Sequence, residues 1–305
     1  MNDIDKQLLE IINEKFDKDK VAYNIRKDGI GIERSSTEEA VIEPKKDKEG
    51  IDIYVKENAQ MAYVHIPVII TKGGFSDKVY NDFYIGKGAN AIINAGCGIH
   101  NDLHADSSHN GIHRFFVGEG ATVSYIEKHY GEGKGDGKRV LDPVTEIHLS
   151  KNAVLKMDTA QIKGVSSAVR TTKAFLEEGA KLEIGEKIFT HEKQNAKTIF
   201  EVELNGKGSS AKVTSRSVAS ENSHQDFISH VIGNTDCYAH VECDAIIKDK
   251  ATVTSDPKIE ANNIDARLVH EATIGKIAGE QLIKLMTLGL SKEKAEETII
   301  DGFLK

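Results

Sequence analysis

Cysteine is scarce in this chain: three among 305 residues. An odd, small number offers no disulfide framework and points to a reducing compartment. Long apolar runs are missing as well. The longest, Tyr63 to Ile70, is interrupted by His65 and Pro67 and falls well short of the roughly 18 residues a membrane helix requires. Basic clusters are lacking: 48 Asp and Glu against 40 Lys and Arg give a formal net charge of -8. A phosphate backbone finds no basic face here, which argues against nucleic acid as the main partner. The opening Met1-Asn2-Asp3-Ile4-Asp5 has no positive start followed by an apolar stretch, so no secretory signal is read. The expectation is a cytoplasmic protein, off the membrane, with small-molecule or protein partners and enough length for a large core.

Signatures of several chemistries are also missing. The glycine-rich run Gly131-Glu132-Gly133-Lys134-Gly135-Asp136-Gly137-Lys138-Arg139 looks like a phosphate loop. However, the leading glycine of that pattern would fall on Glu132, and Arg139 stands where Ser or Thr is needed. It reads as a flexible turn, and ATP binding by that route is not expected. No His-Glu-x-x-His, no Gly-x-Ser-x-Gly elbow and no dinucleotide fingerprint occurs, so an enzyme with its own cofactor pocket gains little support.

What the chain does contain is a repeat. A small residue followed by alternating apolar positions recurs from Ala89, Ala121, Ala153, Ala180, Ala211, Ala239 and Ala251, at intervals of 32, 32, 27, 31, 28 and 12 residues. Periods of this size mean stacked supersecondary units. Apolar and polar residues alternate with period two, and β-branched residues are frequent, so each unit is a strand. Gly118-Glu119-Gly120, Glu178-Gly179 and Gly206-Lys207-Gly208 mark sharp turns, where glycine supplies positive φ. No unit carries a helical pattern, which disfavours βαβ. A sandwich stays open, but a right-handed parallel β-helix accounts better for the fixed small residue and the long run of similar units. Its inward positions would include Val123, Leu155, Leu182, Val213 and Val241.

The ends differ from the middle. Ile4, Leu8, Ile11, Ile12 and Phe16 are spaced as one face of a short helix, and charge-rich alternations up to Val55 read as a small β-rich cap. Gly279 to Leu288 and Lys292 to Phe303 read as two helices, with Gly289 as C-cap and Ser291 as N-cap. Their apolar stripe is Leu282, Leu285, Met286, Ile299, Ile300 and Phe303. The expected division is residues 1–60 for helix and cap, 61–275 for the solenoid, and 276–305 for the helical pair.

Two sets of residues could carry chemistry. The first is Cys243 in Val241-Glu242-Cys243-Asp244, followed 27 positions later by His270-Glu271-Ala272-Thr273-Ile274-Gly275-Lys276-Ile277. By periodicity Cys243 and Cys237 point inward, where cysteine is often only a small hydrophobe. On a strand His270 and Glu271 point to opposite sides, so they could not chelate one metal together. The second set is His100, His104, His109 and His113, four imidazoles that would suit zinc or non-haem iron but match no known metal spacing. A polar loop or rung surface accounts for the run better.

The order of a cysteine on a β-unit, a His-Glu-Ala motif, two helices and a closing Asp301-Gly302-Phe303 resembles the C-terminal signature of the SufB/SufD family of iron-sulfur assembly scaffolds. The resemblance spans roughly residues 85–305 and is strongest over about the last 65. It implies a non-enzymatic scaffold of compact, minimal-system type on a β-solenoid, with Cys243 as the main thiolate and His270 or Glu271 completing the shell of a 4Fe-4S cluster. It implies docking of an ABC-type (SufC-like) ATPase through Gly279 to Phe303, a homodimer where no second scaffold chain exists, and downstream apo-protein acceptors. Cys237 has no counterpart in that signature, and Cys97, in Ala95-Gly96-Cys97-Gly98, resembles a family Gly-Cys segment only loosely; both stay as secondary candidate ligands. Thiolate is the usual ligand of such clusters, and a mixed ligand set holds its cluster more weakly, which suits transfer. Two other readings stand beside it: a histidine-rich metal-binding solenoid or cupin-like metalloenzyme using His100 to His113, and a structural solenoid without metal chemistry.

Overall fold

The computed structural model describes residues 1–12 and 17–304, and leaves the side chains of Ile162 and Lys163 undescribed. Phe16, part of the expected helical face, lies outside the described residues. The period-two segments form two facing ladders of mostly parallel strands. One ladder contains, in spatial order, β2 (Ile30–Ser35), β1 (Ala22–Lys27), β5 (Ala62–Ile70), β7 (Asn90–His100), β9 (Thr122–Glu132) and β12 (Val154–Lys163). It continues through β14 (Lys181–Thr190), β16 (Ser210–Ala219), β18 (Tyr238–Ile247) and β20 (Arg267–Gly275). The other runs from β3 (Ala40–Pro44) and β4 (Gly50–Val55) through β6 (Ser76–Ile85), β8 (Ser107–Val117), and β10 (Arg139–Leu141) with β11 (Val144–Leu149). It ends in β13 (Ser167–Leu176), β15 (Asn195–Leu204), β17 (His224–Gly233) and β19 (Thr252–Ala261). The chain alternates between the ladders, so this is a parallel β-solenoid; among the described residues only the β1–β2 and β3–β4 pairs are antiparallel.

Alternation determines the core. Val123, Leu155 and Leu182 stack in register along the first ladder, Val213 and Val241 stack in register two places further along their strands, and all five are buried in one continuous cluster. Phe83, Phe115, Ile147, Ala174, Val202 and Val231 do the same on the second ladder. Phe83 and Phe115 stack with ring centroids 4.3 Å apart. Each valine, leucine, isoleucine and phenylalanine among them contributes about 1.5–3 kcal/mol of burial, and a one-residue slip would turn the whole set to solvent.

The small residues sit at corners. Ala89, Ala121, Ala153 and Ala180 are fully buried and immediately precede their strands. At the next two rungs the structure shifts the expected frame by two places. Strand register puts Ser209 and Cys237 at the corner, while Ala211 and Ala239 lie inside β16 and β18. The 12-residue interval to Ala251 joins the two faces of one rung, because β18 and β19 belong to different ladders. The turns use positive φ at Gly120, Gly179 and Gly208, and equally at Asn152, Glu192, Glu221 and Asp249.

The glycine-rich run is not a free turn. Gly133, Gly135 and Gly137 lie against the backbone of Asn101, Leu103 and Ala105, so close that a Cβ would fall within 2.4 Å of a carbonyl oxygen at each. Asp102 and Asp106 accept the backbone N–H groups of Lys134 and Lys138. At the ends, α1 (Asp3–Ile12) packs Leu8 and Ile12 on Ile69. Helices α2 (Gly279–Thr287) and α3 (Lys292–Phe303) follow β20; Ser291 caps α3 as expected, and Leu288 rather than Gly289 is the C-cap of α2. Gly289 comes one residue later with φ +96°. No helix among the described residues is long and apolar enough to cross a membrane.

Candidate functional site

On β18 the period-two rule turns Ala239, Val241, Cys243 and Ala245 inward and leaves His240, Glu242 and Asp244 half-exposed. Cys243 is 2% exposed. Its register neighbours are Ser215 on β16 and Ala272 on β20. Burial drives the thiol pKa up to about 11, the nearby negative charges of Glu186 and Asp244 add to this, and a hydrogen bond with Ser255 partly opposes it. In this state the sulfur is protonated at neutral pH and is a poor ligand or nucleophile; access and hydration would activate it.

His270 and Glu271 separate as strand geometry requires. His270 faces inward as the register neighbour of Val241, with Nδ1 3.5 Å from Ser229 Oγ. Its Nε2 is buried and has no hydrogen-bond partner among the described residues. Burial, then the neighbouring His240, lowers its pKa and keeps the imidazole in the neutral, metal-binding form. Glu271 lies on the outer face, 3.5 Å from His240 Nε2. Cys243 and His270 thus share the inner face at the end of the ladder, where β20 is the last strand. Among the described residues no three His, Cys, Asp or Glu side chains stand ready to hold a metal ion. The donors fit iron-sulfur chemistry by type, with a thiol and an imidazole whose Nε2 is unpartnered among the described residues, but one chain presents only part of a shell.

The other candidates lie elsewhere. Cys237 is a buried corner residue. Cys97 is buried on β7, five strand spacings from β18, or roughly 24 Å at about 4.8 Å each. Its thiol pKa is raised well above the ordinary value, by burial first. The histidine run is divided. His100 contacts Glu132 and Asp102, and His104 contacts Asp136 in the exposed loop. His109 and His113 point into the solenoid, where burial lowers the pKa of His113 to about 4.

Sequence reasoning missed a polar seam inside the core. Asp77 contacts His109 at 3.3 Å, and Asn81 contacts His113 at 3.3 Å. His113 contacts the Tyr125 hydroxyl at 2.8 Å, and Tyr125 donates to Glu127 at 3.0 Å. Arg170 donates to Glu127 at 2.7 Å and lies 3.5 Å from Glu186. Glu186 in turn accepts from Thr198 at 2.8 Å and Ser215 at 2.9 Å. The seam passes from His129, the register neighbour of Cys97, to Ser215, the register neighbour of Cys243. The available signal was phase: Glu127, His129 and Glu186 occupy inward positions of their strands.

Residues 81–303 match the family model described as the SUF system FeS cluster assembly, SufBD core domain. An iron-sulfur cluster assembly SufBD family protein of Pyrococcus horikoshii is 31% identical over 257 residues, covering 83% of this chain and 77% of that protein. A SufBD family protein of Methanocaldococcus jannaschii is 25% identical over 273 residues, covering 88% and 85%. The iron-sulfur cluster assembly protein SufB of Bacillus subtilis is 41% identical over 68 residues, 22% of this chain and 15% of that protein. With a buried cysteine and an inward-facing histidine at the last rungs of a β-solenoid, and a family match over most of its length, the chain belongs to the SufBD family of iron-sulfur cluster assembly proteins.

Proposed function

We propose that this chain is a non-enzymatic scaffold that receives a nascent iron-sulfur cluster, of 4Fe-4S type, and hands it to apo-protein acceptors in the cytoplasm. The cluster is cargo. The observation that carries the reading is that Cys243 and His270, whose Nε2 has no hydrogen-bond partner among the described residues, occupy inner-face positions of adjacent strands at the last rungs of the solenoid. Cys243 supplies the main thiolate and His270 or Glu271 completes the shell, with ligands drawn from two chains. A homodimer joined near β19 and β20, each the last strand of its ladder, supports such sharing, since an open strand edge offers backbone groups for pairing. An ABC-type, SufC-like ATPase docks on α2 and α3. No residue of α2 is buried, and Ile283, Met286 and Leu288 are 62%, 44% and 75% exposed. Such an apolar surface fits a protein partner.

Anaerobic reconstitution with iron and sulfide tests the reading. A brown species with thiolate-to-iron absorption should form, vanish in Cys243→Ser and weaken in His270→Ala, while Cys97→Ser changes little. Tight zinc or iron binding that requires His104 and His109 instead would favour the metalloenzyme alternative.

A further inference from the structure

At the end of the solenoid remote from Cys243, a chain of net charge -8 gathers four cations around one cavity of about 290 Å³. Arg26, Arg34, Lys45 and Lys48 line it together with the carboxylate of Glu49 and the amides of Asn24 and Asn81. The cavity lies between the β1–β2 and β3–β4 hairpins, over a floor that includes Ile51, Ile66, Val68 and Val79.

These cations are not equivalent. Arg26 is committed to Asp77, donating at 3.0 and 2.9 Å, and reaches Glu49 at 3.2 Å. Lys45 is held between Asp52 and Asp82. Arg34 donates Nε to the neutral Asn24 Oδ1 at 2.9 Å, which orients its guanidinium plane. Among the described residues it forms no ion pair with a carboxylate. Lys48 lies 4.6 Å from the centroid of the Tyr80 ring, and its one ion pair among the described residues is with the adjacent Asp47 at 3.9 Å. The rim therefore carries two cations whose charge is not closely neutralised, above a concave apolar floor. An oriented guanidinium and an ammonium lining one cavity form a donor set that recognises a carboxylate or a phosphate.

We propose that this cavity binds a compact organic anion, with a carboxylate or phosphate held by Arg34 and Lys48 and a short apolar body resting on Ile66, Val68 and Val79. The volume is at the small end for ligand sites, which excludes a dinucleotide. This site is separate from Cys243 and stands or falls without the cluster reading.

Calorimetric titration of the full chain at low ionic strength, with phenyl phosphate and with phenylacetate, tests it. At least one of the two should bind with Kd below about 1 mM, and the Arg34→Gln/Lys48→Gln double variant should weaken that binding at least about tenfold. The preferred probe identifies the acid group. Arg26 and Lys45 are left intact, so the variant should keep its melting temperature and its capacity for cluster reconstitution. Binding of both probes weaker than about 1 mM, or a loss in the double variant below about tenfold, overturns the proposal.

Discussion

Arg170 donates Nη1 to Glu127 Oε2 at 2.7 Å across 43 residues of sequence, and the pair lies inside the solenoid with neither side chain more than 12% exposed. Removing Arg170 leaves both Glu127 and Glu186 buried without their guanidinium partner. Arg170→Gln should therefore destabilise the chain by about 3–5 kcal/mol. Glu127→Gln/Arg170→Gln should cost less than the sum of the two single changes, as read by denaturant unfolding. An additive double variant would mean that the pair is not coupled.

Cys243 should be unreactive in the free chain. With Cys97 and Cys237 replaced by alanine, alkylation by iodoacetamide at pH 8 should run about a hundredfold slower than for a thiol at the ordinary value of 9.0, because the folded pKa is about 11. The rate should climb with pH up to about 11. The sign for stability follows: the folded form holds its proton more tightly, so its contribution is complete below pH 9.0 and is lost as pH rises toward about 11. Fast labelling at neutral pH would show that the last rungs open spontaneously.

Two glycines with nearly equal φ should respond differently to alanine. Gly208, at φ +73°, has nothing within 4 Å of its missing Cβ, so Gly208→Ala should cost only the left-handed penalty, about 1–2 kcal/mol. Gly164, at φ +72°, would place its Cβ 1.9 Å from the carbonyl oxygen of Gly131. Gly164→Ala must therefore displace a neighbouring rung and should lower the melting temperature distinctly more than Gly208→Ala.

Deleting residues 279–305 should abolish co-purification with an ABC-type ATPase while the solenoid stays folded. Helix α3 contributes one buried residue, Ala295, and the Lys248–Glu296 ion pair to its packing, and α2 buries none. Circular dichroism and size-exclusion chromatography check the fold, and pull-down checks the complex. A complex that survives the deletion would place docking elsewhere.

The sequence by itself determined the strand architecture and its inner face. Period two is a local property, so Val123, Leu155, Leu182, Val213 and Val241 could be assigned to one core without knowing which strands are neighbours. The same rule separated His270 from Glu271 and pointed Cys243 inward. Corner positions were harder to read, because alanines inside a strand look the same as alanines at a turn; only the register of β14, β16 and β18 moves the corner to Ser209 and Cys237. Tertiary structure alone decided which inward polar residues meet. Glu127, Arg170 and Glu186 are far apart in the chain and unremarkable singly, and stacking of rungs makes them one seam. The same holds for the cavity of Arg34 and Lys48, where two hairpins converge. Pairings between rungs depend on loop lengths and strand stagger, which no local pattern encodes.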